Sequence, residues 1–414
     1  MRTRAEAAAL ILSLGLAGFV VMADNWVVSP ILPAIGRDIG ASPVQAGILI
    51  SAYMLPFGLF QLVFGPLADR YGKLAVLRLT MIGFTVAAGA TALGAGVTDL
   101  AIIRALTGIF AAATMPVSLA LIGDTVRMEE RQSAVGSFMG ISFLGQGLSM
   151  GIGGAIAFFL SWRGVFIAYA ALSAVVTALL VLRSRSVVAP GNPQSEILAP
   201  FRRLLTEGRS LRTYLVVLVE GTLIVGSFSY LGAFLSHQFG LDNLAIGLTM
   251  TSYGLAAIVA GQKSGAVASR IGRRRTLLGG LLLAALGNGI IFSLGFGLGA
   301  VVVAITLLGA GFMLAHSTLL TLATEFAARS RGTAMSLVAF CMMGGGAVGT
   351  AIGGRVIQST DFTTFYGVWG LLLLVLVGLA ALLVSDTFSA QPVATEADRV
   401  LTRLQEVGIS YENR

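Results

Sequence analysis

Two stretches of this chain, 200 residues apart, repeat each other. Gly65-Pro66-Leu67-Ala68-Asp69-Arg70-Tyr71-Gly72-Lys73 and Gly265-Ala266-Val267-Ala268-Ser269-Arg270-Ile271-Gly272-Arg273 share Gly, Ala, Arg, Gly and a closing cation in the same order. The same offset, 265 − 65 = 200, pairs Gly40, Gly47 and Tyr53 with Gly240, Gly247 and Tyr253. It also pairs Arg131 and Ala134 with Arg331 and Ala334, and Gly145, Gly153 and Gly154 with Gly345, Gly353 and Gly354. Chance matches some of the 53 glycines, but it does not readily hold one register across residues 40–154 and 240–354. The chain is two copies of one unit, and that repeat constrains the fold before any local pattern does.

Each copy is a series of long apolar runs, such as Leu10–Met22, Met81–Val97 and, in the second copy, Leu277–Val303. Only 11% of the 414 residues are charged and 56% are hydrophobic, against roughly 25% charged in a soluble protein. Mean hydropathy is +0.89. About twenty apolar residues cross a bilayer as a helix, and a spanning backbone must satisfy its own hydrogen bonds. The expected fold is therefore an all-α membrane protein of twelve transmembrane helices in two pseudo-symmetric six-helix halves. The predicted layout is an N-terminal bundle over 1–182, a linker with an interfacial helix over 183–212, a C-terminal bundle over 213–384 and a polar tail over 385–414. Predicted helix 1 covers 7–35 and helix 4 covers 99–122, while 68–73 is expected as an inner loop and 213–235 as helix 7. The first apolar run continues past the length of a leader's core into Trp26–Ile35, so it reads as the first helix and not as a cleaved signal.

The net charge of +8 reports sidedness. Arg70, Lys73, Arg78, Arg127, Arg131, Arg183, Arg202, Arg203, Lys263 and Arg270 to Arg275 fall in alternate loops with both chain ends. The opposite loops hold only Arg37, Arg163 and Arg355, and Arg104 lies inside a helix. That bias places both termini in the cytoplasm of a multi-pass plasma (inner) membrane protein. It excludes nucleic acid as the partner and predicts contact with anionic lipid. The one cysteine, Cys341, forbids an internal disulfide. Zinc spacing, a P-loop and a nucleophile triad are all missing from the sequence, so no enzyme activity and no cofactor are expected. Energy would come from an ion gradient.

The 65–73 stretch resembles the signature loop of the major facilitator superfamily, and a weaker copy in the second half is expected of that family. Arg104-Ala105-Leu106-Thr107-Gly108 resembles the arginine-glycine motif on helix 4 of its twelve-helix drug:proton antiporter branch, with Thr107 in place of the usual glutamine. Asp24 followed by Pro30 and Pro33, and Trp162-Arg163 with Phe166, look like that branch's helix 1 and the start of its helix 6. Its helix 5 glycine pair is present as Gly153-Gly154, whereas the preceding glycine-proline position reads Ser149-Met150. The spacing of Gly147 and Gly151 is a pattern that lets helix backbones approach closely.

Four ionisable residues within apolar helices are candidates for proton coupling: Asp24, Arg104, Glu220 and His316. A carboxylate in hydrocarbon must face a cavity, find a partner or be protonated. Arg104 keeps its charge, and the resemblance implies that it couples Asp24's protonation to movement. A structural acid and a fixed strut are the plainer readings of that pair. Glu220 has no register match with Asp24, and His316 stands opposite Pro116 at the common offset. His316 could titrate near neutral pH or serve as a packing residue. The resemblance implies a conformational switch at Gly65, Asp69, Arg70, Gly72, Lys73, Arg78 and Asp124, with Asp69 facing the start of helix 11 near 332–336. Topology marking is the plainer reading of the cations. Asn25, Trp26, Tyr53, Met54, Phe57, Tyr230, Tyr253, Met342 and Met343 are the expected substrate cavity, since aromatics and methionines suit varied apolar ligands.

These readings point to a secondary transporter working by rocker-switch alternating access, with proton-coupled efflux of small apolar or cationic compounds as the favoured activity. A specific sugar or amphiphile exporter or uptake permease is the alternative within the class. A non-transporting membrane sensor is the alternative outside it. The expected partners are a small-molecule substrate, protons and the lipid bilayer, with the chain acting as a monomer.

Overall fold

The computed structural model describes residues 4–183, 198–326 and 331–384. The linker segment 184–197, Arg329 and the tail 385–414 lie outside them. Among the described residues all regular structure is helical, and twelve helices are long and apolar enough to cross a membrane. Helices 1 to 6 are Ala8–Trp26, Pro43–Tyr71, Lys73–Thr91, Val97–Thr125, Ser133–Phe159 and Trp162–Leu182. Helices 7 to 12 are Gly208–Phe239, Asn243–Ile271, Arg273–Leu294, Leu298–Phe326, Gly332–Ser359 and Phe362–Leu383. An even number of spans joined by short turns brings both ends of the chain to one face, the terminal face. The other is the distal face. A short helix, Leu198–Thr206, precedes helix 7 and buries Leu204 while exposing Arg202 and Arg203.

The repeat is visible in the backbone. Among the described residues the positive φ angles are those of Gly40 (66°), Gly72 (95°), Gly240 (64°) and Gly272 (88°), two pairs at the offset of 200. An L side chain is strained there and glycine is not. Gly72 corrects the expected 68–73 loop. Helix 2 runs on through Tyr71 and helix 3 starts at Lys73, so one left-handed glycine makes the whole turn.

Prolines account for the breaks inside the first half. Pro30 cannot donate to the carbonyl of Trp26, four residues back. Helix 1 stops at Trp26 and resumes as Val28–Asp38, in place of one continuous helix over 7–35. Pro116 likewise cannot bond Ala112, and helix 4 divides into Val97–Ala111 and Thr114–Thr125. Helix 7 has no proline, yet it widens into a π turn at Gly221–Val225 and breaks again at Tyr230.

Glycines set how the helices touch. On helix 5, Gly147 faces Gly254 of helix 8, Gly151 faces Thr251, and Gly154 faces Gly247, so the two halves meet backbone to backbone. Helix 2 meets helix 11 through Ser51, whose hydroxyl donates to the Ala347 carbonyl at 3.0 Å, and through Gly58 against Met343. Ser29 of helix 1 donates to the Phe228 and Ser229 carbonyls at 2.7 and 3.1 Å. That contact joins residues one repeat apart. These contacts occupy the middle and distal parts of the helices. Toward the terminal face, Gly65, Gly136, Gly140, Gly265 and Gly332 on the same helices have no atom within 4 Å of where a side chain would begin. The halves are closed distally and stand apart on the terminal side.

Candidate coupling site

Asp24, Asn25 and Trp26 form the last turn of helix 1 before its proline break, and all three are buried. Arg104 reaches them from helix 4. Its Nη1 donates to Asp24 Oδ2 at 2.6 Å and its Nη2 to the Asp24 carbonyl at 3.3 Å. The pair is sealed, with side-chain exposures of 1% and 0%. The guanidinium lies 4.3 Å over the Tyr53 ring and 5.6 Å over the Phe166 ring. Gly108, one turn from Arg104, makes this possible. A side chain there would strike the Tyr53 carbonyl, and its absence lets helix 2 bring the ring under the cation, a contact worth about 2 kcal/mol or more when desolvated.

The second half repeats the arrangement with other residues. Gly309 of helix 10 abuts the Tyr253 carbonyl as Gly108 abuts that of Tyr53. Glu220 of helix 7 and His316 of helix 10 pair through Oε2 and Nδ1 at 3.1 Å. Each half thus sets a buried acid on its first helix against a base on its fourth. The two glycine contacts also correct the register. In helix 10 the offset is 309 − 108 = 201, so His316 corresponds to Met115 and not to Pro116. The terminal ends agree: Lys73 pairs with Asp124 at 2.8 Å, and Arg273 with Glu325, at offsets of 200 and 201.

An aromatic cluster spans the space between the two acid pairs. Trp26 of the first half packs against Phe228 at 4.7 Å, Tyr253 at 5.9 Å and Phe312 at 6.0 Å, all from the second half. Phe312 in turn stacks on His316 at 5.3 Å. Several polar atoms here have no hydrogen-bond partner among the described residues: Asp24 Oδ1, Asn25 Nδ2, Trp26 Nε1, Tyr53 OH, Glu220 Oε1 and Tyr253 OH. A buried polar atom left unpaired costs about 1–3 kcal/mol, so such a concentration marks a place built to take polar groups from elsewhere.

The structure therefore brings together Asp24, Asn25, Trp26, Tyr53, Arg104, Tyr253, Glu220 and His316. Phe57 belongs at the edge, stacked on Tyr53 at 5.6 Å. Met54, Met342 and Met343 pack where helix 2 or helix 7 meets helix 11. Tyr230 lies distally, its hydroxyl donating to the Thr350 carbonyl at 3.0 Å, and takes no part in the centre. Phe228 and Phe312 are central residues that the sequence reading did not name. Phe312 stands one helical turn before His316, a spacing that puts both on one face.

Asp69 does not reach helix 11. It pairs with Lys73 at 3.0 Å inside its own half, and 49% of its side chain is exposed. The expected contact with residues 332–336 needs the halves to be closed on the terminal face, and here they are apart. Gly72 shapes this corner, and Arg70 lies 5.7 Å over the ring of Tyr71. On the distal face the Arg163 and Trp162 side chains donate to Asp38 and hold its carboxyl below the usual carboxylate range, Arg163 contributing most.

Comparison with known proteins agrees with this fold. The family model described as the Major Facilitator Superfamily matches residues 14–242 and 213–410. The chain is 30% identical over 360 residues to the uncharacterised MFS-type transporter YceJ of Bacillus subtilis (strain 168), covering 83% of this chain and 88% of that one. It is 24% identical over 416 residues to the tetracenomycin C resistance and export protein of Streptomyces glaucescens, covering 87% and 77%. Among solved structures, a bacterial homologue of the human lysosomal transporter Spinster, in an inward-facing and occupied conformation, superposes with a TM-score of 0.74 at 18% identity, covering 92% of this chain and 97% of that one.

Proposed function

The chain belongs to the major facilitator superfamily, and from that footing we propose that it exports small apolar or cationic compounds in exchange for protons by alternating access. The observation that carries this reading is the sealed Asp24–Arg104 pair at the break of helix 1, placed against an aromatic cluster contributed by both halves. A buried acid whose cationic partner must be released before it takes a proton links protonation to a movement of helices 1 and 4. The name of the tetracenomycin C relative supports export, and the cation-rich terminal face supports a cytoplasmic location for both termini. Opening to that face lets substrate enter from the cytoplasm. The Asp69–Lys73–Asp124 cluster then serves as the switch that engages helix 11 when the terminal side closes.

The test is substrate-driven proton movement in inside-out vesicles. Lipophilic cations, neutral antibiotics and sugars are added to vesicles that carry a pH-sensitive dye and hold a pH gradient. Export by exchange collapses the gradient with the wild type and not with Asp24→Asn. An equal response from both removes Asp24 from coupling. A response to sugars alone replaces the efflux reading with a metabolite transporter.

A further inference from the structure

The two acid–base pairs join the first and fourth helices of their halves at different levels, and they differ in charge. Arginine keeps its proton at any physiological pH, so Asp24–Arg104 is neutral without an exchangeable proton. Histidine, unlike arginine, has a neutral form that a protein can hold. Glu220–His316 is neutral only while it holds one proton, shared across the 3.1 Å between Nδ1 and Oε2. If that proton leaves, the pair becomes a net anion on a carboxylate that is fully buried. An uncompensated charge at such depth costs several kcal/mol. The proton can depart at low cost only as another positive charge arrives.

We propose that Glu220–His316 is a second coupling site, at which one bound proton is exchanged for the cationic group of an organic substrate. The inference rests on the transporter reading and adds to it where a cation binds and what it displaces. No covalent bond of the substrate changes. The N–H or O–H bond of the pair breaks, the proton goes to water, and the substrate's charge replaces it beside Glu220.

Four observations favour this site. His316 keeps 11% of its side chain exposed, which leaves the imidazole as the route for the proton. The π turn Gly221–Val225 begins directly after Glu220, and π turns interrupt helices most often at functional sites. Among the described residues Glu220 Oε1 and Tyr253 OH have no hydrogen-bond partner. The walls are ring faces, Phe312 on His316 and then Tyr253 and Phe228, the latter two 4.8 Å apart. Ring faces suit an organic cation. Inorganic cations need a cage of several oxygens, and the described residues hold no group of three His, Cys, Asp or Glu side chains that could supply one.

The charged groups at the terminal ends of the neighbouring helices, Arg273 of helix 9 and Glu325 of helix 10, pair with each other. Helix 8 contributes Tyr253 and helix 11 Cys341. Helix 12 contributes Tyr366, bonded to the Ser227 carbonyl, and helix 7 itself contributes Tyr214. The short helix before helix 7 carries Arg202 and Arg203 on its exposed side. Among the described residues no other ion pair includes Glu220 or His316.

The experiment counts protons released when tetraphenylphosphonium binds the purified full-length protein in weakly buffered detergent, with no gradient present. The expected result is about one proton per bound cation for the wild type and for the distal-face control Asp38→Asn. Glu220→Gln should release none, and its cation affinity should lose its pH dependence. Glu220→Asp keeps the charge and should retain release, which guards against a folding failure of the glutamine variant. Undiminished release from Glu220→Gln overturns the proposal, and so does equal release by sodium or potassium ions. Failure of vesicle transport with proton release intact would sink the efflux reading and leave the site standing. Transport of cations by Glu220→Gln with wild-type pH dependence would do the opposite.

Discussion

The seam between helices 5 and 8 offers a direct test of whether the halves part on the distal side. A Cβ at Gly254 would lie 2.4 Å from the Gly147 Cα, 2.7 Å from its carbonyl oxygen and 3.0 Å from its carbonyl carbon. All three are backbone atoms and cannot rotate away. An ordinary contact needs about 3.4 Å, so Gly254→Val must push helix 8 outward by about 1 Å, at an overpacking cost of about 1–3 kcal/mol. Intrinsic helix propensity works the other way, because valine is a better helix former than glycine by a few tenths of a kcal/mol. The strain falls only on the state in which this seam is closed. The ratio of distally open to distally closed molecules should therefore rise about 5- to 150-fold. Spin labels on Leu160→Cys and Phe296→Cys, both highly exposed, report the distance across the distal face once Cys341 is replaced by serine. The expected result is a new, longer distance population in Gly254→Val. Gly378→Val is the control, because nothing lies within 4 Å of a side chain there. An unchanged distribution in a folded Gly254→Val protein would refute the argument, since it would mean that this seam does not open.

Two further outcomes follow from the charged pairs. Removing one partner of the sealed Asp24–Arg104 pair leaves a buried charge alone, so Arg104→Gln should lose about 3–5 kcal/mol of stability, read by thermal denaturation, and Asp24→Asn/Arg104→Gln should regain most of it. At the distal face Arg163 and Trp162 lower the Asp38 carboxyl, which contributes stability above the unfolded value of ~3.9 and loses it as pH falls through the folded value. Asp38→Asn should therefore melt below the wild type at pH ~7, and the gap should narrow as pH falls below ~4.

Much of the architecture was readable because it depends on residue types with few substitutes. Gly40, Gly72, Gly240 and Gly272 announced themselves by register, and each proves to hold a backbone angle that only glycine holds freely. Pro30 and Pro116 were visible, yet helices 1 and 4 were expected to run unbroken, and each proline proves to divide its helix. The π turn of helix 7 carried no such mark. It follows the close approach of helix 11, where a side chain at Gly221, Gly345 or Gly349 would strike the facing backbone. Identity matching missed the one-residue slip in helix 10, because the slip shows only in which carbonyl Gly309 meets. The ionisable residues were all legible, but the partnership of Glu220 with His316, 96 positions apart, depends on how two helices are rotated. Asp69 was assigned a contact with helix 11, and in this structure it pairs with Lys73 of its own half instead.

The divergence between the halves is itself informative. Backbone spacing rests on a few glycines, and these recur at offsets of 200 or 201 in both copies. The acid on the first helix and the base on the fourth recur too, yet the bases differ in the property that matters for coupling. A permanent cation can hold an acid in place and can be let go, but it cannot report proton concentration. An imidazole can report it, and it holds less firmly. Arg104 is sealed beneath two rings, whereas His316 lies beside a widened helical turn and keeps part of its edge exposed. Two arginine pairs would leave no titratable base at the centre, and two histidine pairs would leave no permanent cation there. One of each gives a single fold both kinds of partner for a buried acid.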